Sequence, residues 1–348
     1  MKASHSGTGV RRHTGRDLRC STCRTGEHHS HQVDCTCPCW CGQPTGANGA
    51  DLVADRVAGG LLGLCVGDAL GATTEFMSPS EIARRLGRHT EITGGGLFKW
   101  APGQGTDDSD MAMAVARAYV AGYSLERVAE GFLAWYKGRP KDVGGTTAAA
   151  LSLLEKGVSP RKTGRDDERS AANGGLMRCV VTGLVRPAAE LRRQEAQDIS
   201  AITHSERRCL QAVTAYCDLT NHLVEGASPA AALGWVLDET PLDDDVAGVL
   251  EWAPEAAAGD LDTSGYVLGT LGVGVWALFS GLRFEEALIA VVNLGGDADT
   301  TGAVAGGLLG AHYGATAVPA RWAGAVAYGP EVMSLPPSLC ELRSGAVL

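Results

Sequence analysis

The chain has 348 residues, of which 45% are hydrophobic and 20% are charged, the balance expected of a globular protein. Its 40 acidic and 30 basic residues give a formal net charge of −10. This charge argues against nucleic acid as a partner, because nucleic-acid-binding proteins usually present a basic face.

Residues 1–50 differ in composition from the rest of the chain. Six of the eleven cysteines and five of the nine histidines lie there, without hydrophobic periodicity. Cys20 and Cys23 have the spacing of a pair of zinc ligands, whereas the alternating cysteines between Cys35 and Cys41 are poorly spaced for a zinc finger. A disordered tail and a small Zn²⁺-binding segment both remain open. We expect residues 1–50 to be an appendage and residues 51–348 to form one domain.

From residue 51 onward, apolar residues recur at helical spacing between glycine-rich loops, and alternating β-branched runs are missing. The pattern predicts an all-α domain. The predicted helices span residues 53–70, 109–120, 125–135, 147–154, 176–185, 188–200, 207–223, 229–237, 246–252, 266–279, 284–292 and 300–313. The polar segment 163–172 is predicted to be a mobile loop or a lid.

Two segments, 266–282 and 300–320, contain no Asp, Glu, Lys or Arg. Both are rich in glycine and alanine, and the second contains Pro319. A membrane-spanning helix needs about twenty strongly apolar residues, so we interpret both segments as buried helices of a large core. The first residues also lack the apolar run of a secretory signal. We therefore expect a cytoplasmic protein without a membrane partner.

Two short segments each place acidic residues and a threonine at the start of a predicted helix. The first is Thr106-Asp107-Asp108, and the second is Asp297-Ala298-Asp299-Thr300. Each alone is explained as a helix cap. Their repetition favours a metal site, because clustered carboxylates repel one another in a dry cleft and a divalent cation relieves that repulsion. Oxygen ligands favour Mg²⁺ or Mn²⁺ over Zn²⁺, although from the residues alone a cap and a metal site remain equally open.

Five sequence blocks extend this pattern through the chain. They are GLLGLCVGDALG at 60–71 with Glu75, the stretch 94–108, DVGGTT at 142–147, NGGLMR at 173–178, and LGGDADTTGA at 294–303. In this order the blocks resemble the ADP-ribosylglycohydrolase family, which includes dinitrogenase reductase-activating glycohydrolase and the ADP-ribosyl-acceptor hydrolases. The resemblance covers about residues 52–315.

The resemblance implies an all-α catalytic domain with a binuclear Mg²⁺ or Mn²⁺ centre at the bottom of a cleft. The implied metal ligands are Thr106, Asp107, Asp108, Asp297, Asp299 and Thr300, with Asp299 serving both ions. The implied reaction is hydrolysis of the glycosidic bond that joins ADP-ribose to a protein or small-molecule acceptor. Glu75, Asp107 and Asp142 are the candidate catalytic carboxyls. The choice of general base stays open, and a helix cap is an equal alternative for Asp142.

Further residues are candidates for binding the substrate. They are Gly94, Gly95, Gly96, Asn173, Gly174, Arg178, His204 and Tyr266. Backbone N–H groups of the glycines suit a diphosphate, although plain turn geometry also explains them. Tyr266 is a candidate to stack on adenine, with core packing as the alternative. Asp68 lies within an apolar helix, and we expect it to bond a loop close to the metals.

Two other functions remain open. The chain could be a non-catalytic member of the same fold that binds ADP-ribose or serves a structural role, or a two-metal phosphoesterase. The intact acidic clusters favour the glycohydrolase. A monomer is the expected state, and the amino acid that carries ADP-ribose is not predicted.

Overall fold

The computed structural model describes residues 49–345, which form sixteen α-helices and six short 3₁₀ helices. No β-strand occurs in this range, where the only extended pairing is three isolated bridges. The predicted all-α class is confirmed, and the predicted zinc segment lies outside the described residues. The α-helices are α1 Gly49–Gly71, α2 Pro79–Leu86, α3 Asp107–Val120, α4 Leu125–Lys137, α5 Gly145–Glu155, α6 Val180–Val185, α7 Ala189–Ala201, α8 Arg207–Val224, α9 Pro229–Glu239, α10 Asp244–Trp252, α11 Val267–Phe279, α12 Phe284–Val292, α13 Ala298–Tyr313, α14 Ala320–Ala323, α15 Gly329–Ser334 and α16 Pro336–Ser344.

Most predicted helices are found within a few residues of their expected ends, with one clear exception. The helix expected over 176–185 is divided into a 3₁₀ helix, Asn173–Arg178, and the short α6. The division has a local cause, since the guanidinium of Arg178 folds back and donates to the carbonyl of Gly174. This contact holds the chain in a tighter turn than an α-helix.

The centre of the domain is an antiparallel pair formed by α1 and α13. Glycines at every fourth position of α1 face glycines at every fourth position of α13, so the two backbones touch. A Cβ atom on Gly67 would overlap the carbonyl of Gly302, and one on Gly63 would overlap that of Gly306. The pairing brings the end of α1 beside the start of α13. Two segments more than two hundred residues apart therefore meet at one point of the fold.

The remaining helices cover this pair. Helices α8, α11 and α12 pack against α13, while α3 packs against α1 and α4. The apolar α11 and α13 are buried along most of their length, as predicted for segments 266–282 and 300–320. Among the described helices, none combines the length and the apolar character needed to cross a bilayer.

The segment 163–172 is irregular apart from one 3₁₀ turn, Glu168–Ser170. Its start is tied to the end of α7, where the hydroxyl of Thr163 donates to the carbonyl of Ile202 at 2.7 Å. Arg165 makes two backbone hydrogen bonds, its N–H to Thr203 and its carbonyl from Ser205. The predicted loop is therefore present, and its role as a lid stays a prediction.

Candidate metal centre

Asp68, in the last turns of α1, fastens the start of α3. Its side chain is fully buried and accepts hydrogen bonds from the backbone N–H groups of Thr106, at 3.0 Å, and Ser109, at 3.1 Å. The hydroxyl of Ser109 donates to the same carboxylate. Burial raises the pKa of Asp68 to about 6, and these hydrogen bonds oppose the rise. The prediction that Asp68 bonds a loop beside the acidic clusters is confirmed.

The first acidic cluster is the N-terminus of α3. Thr106 caps the helix, accepting from the N–H of Asp108 at 3.3 Å, and its hydroxyl lies 3.0 Å from an oxygen of the Asp108 side chain. Asp107 and Asp108 are both buried. The predicted cap is thus present, together with two carboxylates that a cap does not require.

The second cluster is the N-terminus of α13, and it touches the first. The hydroxyl of Thr300 donates to the side chain of Asp108 at 3.3 Å, across 192 positions of sequence. Asp299 is buried, and the backbone N–H of Asp297 is held by the carbonyl of Thr263 at 2.7 Å. The two clusters therefore form one site.

Two groups of carboxylates in this site have the spacing of metal ligands. Asp68, Asp108 and Asp299 form one group, while Glu75, Asp297 and Asp299 form the other. In each group, one oxygen from every residue lies within 4.8 Å of the others. Asp299 belongs to both groups, as expected of a carboxylate that serves two neighbouring ions. Asp68 was not predicted as a ligand, because its place in an apolar helix separates it from both acidic motifs.

The buried, mutually repelling carboxylates of this site favour the binding of a cation. Burial, followed by repulsion from neighbouring carboxylates, raises the pKa of Asp107, Asp108 and Asp299 well above the ordinary value. The same two causes raise the pKa of Glu75 to about 8. Buried oxygens of Asp108, Asp299 and Glu75 have no hydrogen-bond partner among the described residues. An oxygen-only donor set with unused lone pairs fits divalent cations of the Mg²⁺ or Mn²⁺ type.

Asn173 contacts an acid of the site directly. Its side-chain amide donates to Asp297 at 2.7 Å and to the hydroxyl of Thr270 at 3.0 Å. These two hydrogen bonds use both N–H groups of the amide. Asn173 therefore orients Asp297, and the predicted substrate contact, which would fall to its carbonyl oxygen, stays a prediction.

We expect Asn173→Ala to weaken Mn²⁺ binding by about tenfold or more, because groups that orient a metal ligand typically contribute that much affinity. Isothermal titration calorimetry of the metal-stripped protein measures this change. Asn221→Ala is the matched control, since Asn221 is also buried and accepts a hydrogen bond from Arg343, away from the acidic clusters. Equal Mn²⁺ affinities of the two variants would contradict the role given to Asn173.

Arg178 and His204, both predicted to bind substrate, are fully buried behind the turn Asn173–Arg178. Arg178 donates to Thr203 at 2.6 Å and lies over the ring of Phe132. His204 shares a hydrogen bond of 2.8 Å with the hydroxyl of Thr203. Burial lowers the pKa of His204 to about 3 and that of Arg178 to about 10, so His204 is neutral at physiological pH. The observed contacts support the turn from behind, and direct contact with substrate stays a prediction.

The predicted glycines have structural roles that the geometry explains. Gly94, Gly95 and Gly96 all have positive φ, and Gly95 exchanges two backbone hydrogen bonds of 2.8 Å with Trp100. This is a tight hairpin, in line with the alternative of plain turn geometry. Gly174 lies against His204, where a Cβ would stand 2.6 Å from the ring. Diphosphate binding by these backbones stays a prediction.

Asp142 and Tyr266 lie at the edges of the site. Asp142 is half-buried, and its charge is among the causes that raise the pKa of Glu75 and Asp107. Tyr266 is also half-buried, with the guanidinium of Arg208 5.6 Å from its ring centre. Its loop supplies the Thr263 carbonyl that holds Asp297. Contact of either residue with substrate stays a prediction.

Comparison with known proteins identifies the family of this chain. The ADP-ribosylglycohydrolase family profile matches residues 49–346. The chain is 36% identical over 276 residues to the ADP-ribosyl-[dinitrogen reductase] glycohydrolase of Rhodospirillum rubrum, covering 78% of this chain and 90% of that protein. It is 30% identical over 301 residues to the ADP-ribosylarginine hydrolase Tri1 of Pseudomonas putida, covering 82% and 78%.

A solved structure extends the likeness to three dimensions. The structure described as an ADP-ribosylglycohydrolase-related protein complex superposes with a TM-score of 0.74 at 32% identity, covering 84% of this chain and 99% of that one. The sequence blocks, the joined acidic clusters and the superposition agree. The chain belongs to the ADP-ribosylglycohydrolase family.

Proposed function

We propose that the protein is a metal-dependent hydrolase that cleaves the glycosidic bond of ADP-ribosylated protein or small-molecule acceptors and releases ADP-ribose. The observation that carries this proposal is the contact between Thr300 and Asp108, which joins two acidic clusters around a shared Asp299. The relatives named above are, by name, an ADP-ribosyl-[dinitrogen reductase] glycohydrolase and an ADP-ribosylarginine hydrolase, and the matches span 90% and 78% of their lengths.

Two Mg²⁺ or Mn²⁺ ions are the proposed cofactors. Thr106, Asp107 and Asp108 would hold one ion, and Asp297 and Thr300 the other, with Asp299 shared between them. Asp68 is a further candidate ligand on the α1 side. When bound, the ions would neutralise the clustered carboxylates and supply Lewis acidity at the hydroxyl groups of the ribose.

The protein groups then have separate tasks in the reaction. Water attacks the anomeric carbon of the ribose, the bond to the acceptor breaks, and the acceptor leaves with a proton. Glu75, Asp107 and Asp142 are the carboxyls that can take the proton from water or return it to the leaving group. Burial, followed by repulsion from Asp142, raises the pKa of both Glu75 and Asp107, which supports placing the three carboxyls around one space. The choice among them remains open.

The adenine and the diphosphate of the ADP-ribosyl group are proposed to lie against residues that surround these three carboxyls. The ring of Tyr266 would stack on adenine, since it is half-exposed and its loop adjoins Asp297. Backbone N–H groups near Gly96 and Gly174 would meet the diphosphate. Arg178 and His204 would keep the Gly174 turn in place from behind.

The cytoplasm is the proposed location. The described cysteines, Cys65, Cys179, Cys209, Cys217 and Cys340, are all free. Free cysteines are typical of a reducing compartment.

The decisive test measures ADP-ribose release from arginine- and serine-ADP-ribosylated substrates, with and without Mg²⁺ or Mn²⁺. We expect release that depends on the added ion and that stops when the ion is chelated. Calorimetric binding of ADP-ribose without turnover would favour the non-catalytic alternative. Phosphate release from generic phosphate esters, without ADP-ribose release, would instead identify a phosphoesterase.

A further inference from the structure

The segment that carries Asp142 connects α4 to α5 and receives little support from its own backbone. Within the described range, residues 140–143 make no backbone–backbone hydrogen bond. Arg139, at the start of the connection, has φ of 55°, a region that residues with a side chain rarely adopt. Strained residues persist only where the surrounding structure holds them. The support for this connection must therefore come from side-chain contacts.

Lys141, the residue before Asp142, ties the connection to the segment that precedes the first acidic cluster. Its amino group donates to the side-chain oxygen of Gln104 at 3.1 Å and to the backbone carbonyl of Lys99 at 3.2 Å. The same amino group lies 5.0 Å from the ring centre of Trp100, within the range of a cation–π interaction. Three contacts therefore meet at one ammonium group.

Gln104 extends these contacts to the candidate metal ligands. Its side-chain oxygen also accepts from the backbone N–H of Ala101 at 3.2 Å, and its own N–H donates to the Ala101 carbonyl at 3.0 Å. These bonds close a turn that ends two residues before Thr106, the cap of α3. Lys141 therefore joins the connection that carries Asp142 to the turn that leads into the acidic N-terminus of α3.

The charges of the site act against the position of Asp142. After burial, repulsion from Asp142 is the largest cause of the raised pKa of Glu75 and of Asp107. Repulsion acts equally on both partners, so these two acids also push Asp142 away. A connection without backbone hydrogen bonds offers little resistance to that force. The contacts of Lys141 oppose the displacement.

We propose that Lys141 is a positioning residue for Asp142 and that it acts through Gln104. The inference rests on the proposed function, in which Asp142 is one of the carboxyls that can transfer a proton. Lys141 does not contact the substrate, because protein acceptors already occupy its amino group. It follows that Lys141 affects turnover only while residue 142 carries a carboxylate.

Lys141→Met removes the donors and nearly keeps the length of the side chain. Kinetics at saturating Mn²⁺ are measured on whichever of the arginine- and serine-ADP-ribosylated substrates the wild type hydrolyses. We expect kcat to fall by about tenfold or more and KM to change by less than about twofold, because the displaced group acts on the chemical step. Mn²⁺ affinity in calorimetry should not change, since neither candidate ligand group includes Asp142. Lys137→Met, which removes the same charge from an exposed position at the end of α4, is the control and should alter none of these values.

Two double variants test the route of the effect. In an Asp142→Asn background no carboxylate remains to be held, so adding Lys141→Met should lower kcat by less than about twofold. Gln104→Leu removes the acceptor of Lys141. Combining it with Lys141→Met should cost less than the product of the two single losses, because both changes break the same contact.

Other results would overturn the positioning role. A rise in KM that persists in the Asp142→Asn background would mean that Lys141 binds the substrate directly. Losses that multiply in both double variants would mean that Lys141 acts independently of Asp142 and Gln104. Full activity of Asp142→Asn, or wild-type kinetics of Lys141→Met, would leave nothing for Lys141 to position.

The proposed function can fail separately. If the wild type releases ADP-ribose from neither substrate, the hydrolase assignment fails, and the location of Asp142 tests the inference instead. Crystal structures of the wild type and of Lys141→Met are then compared. A shift of the Asp142 carboxylate by about 1 Å or more relative to Asp107, the scale of displacement that impairs catalysis, supports the positioning role. An unchanged carboxylate position overturns it.

Discussion

Replacing Asp299 with asparagine is expected to lower both Mn²⁺ affinity and the rate of ADP-ribose release by about 100-fold or more, because one carboxylate is shared by both candidate ligand groups. Asparagine has nearly the same shape and keeps one oxygen, so the change tests the charge rather than the packing. Calorimetry with Mn²⁺ and a release assay at saturating Mn²⁺ measure the two effects separately.

The same substitution should have the opposite effect on the metal-free fold. Burial and the neighbouring acids raise the pKa of Asp299, so its charge opposes folding when no cation is bound. These carboxyl groups bind protons more tightly in the folded protein than in the unfolded chain. Without metal, the free energy of unfolding should therefore fall as pH rises from the ordinary carboxyl range to about 8, the pKa of Glu75. Asp299→Asn should raise metal-free stability at neutral pH and abolish the stabilisation by Mn²⁺.

Asp238→Asn is the matched control, because it removes one negative charge from an exposed position of α9. Its Mn²⁺ affinity, turnover and denaturation midpoint should remain those of the wild type. Full activity of Asp299→Asn, or stabilisation by Mn²⁺ equal to that of the wild type, would remove the shared-ligand role and with it the binuclear centre.

The second large effect concerns the glycines between α1 and α13. Gly67→Ala is expected to destabilise the protein by about 3 kcal/mol or more, since the added methyl group meets a backbone carbonyl that has no rotamer to change. Separation of the helices would also move Asp68 away from Asp299, so Mn²⁺ affinity should fall. Urea denaturation of the metal-free protein measures the free energy of unfolding, and calorimetry measures the Mn²⁺ affinity.

Gly248→Ala is the control for this experiment. Gly248 also lies within a helix, α10, but a Cβ there meets nothing within 4 Å. Alanine should stabilise that helix by about 0.5–1 kcal/mol, because alanine loses less backbone entropy on folding than glycine. If the two variants shifted stability in the same direction, the close contact at Gly67 would not be the cause.

The core helices could be predicted because their apolar residues recur with the period of an α-helix. The structure places α12 at Phe284–Val292, the span expected from the sequence. The break after Arg178 could not be predicted in this way, since it depends on a guanidinium that bonds to its own turn. Helix α2 was missed although Ser78 and Pro79 form a cap signal, because the helix is short and polar.

The candidate site was predictable only in part. The residues alone left a cap and a metal site equally open at Thr106. The structure shows the cap, and the family resemblance is what favours the metal site. Contacts between residues that are distant in the sequence leave no local pattern from which they could be predicted. Asn173 meets Asp297 across 124 positions, and Asp68 meets Ser109 through a loop that no periodicity describes. Such partners become visible only when the chain is folded.

The glycine contact between α1 and α13 also bears on which cations the site accepts. Side chains between two helices can rotate and let a cavity widen, but touching backbones cannot. The candidate ligands on α1 and α13, Asp68 and Asp299, would therefore be held at a fixed separation that does not adjust to a larger ion. Calcium needs oxygens at about 2.3–2.6 Å and magnesium at about 2.0–2.1 Å. We expect the fixed main-chain contact between the two helices to limit the radius of the ion that can bind, so that Ca²⁺ is rejected because it is too large.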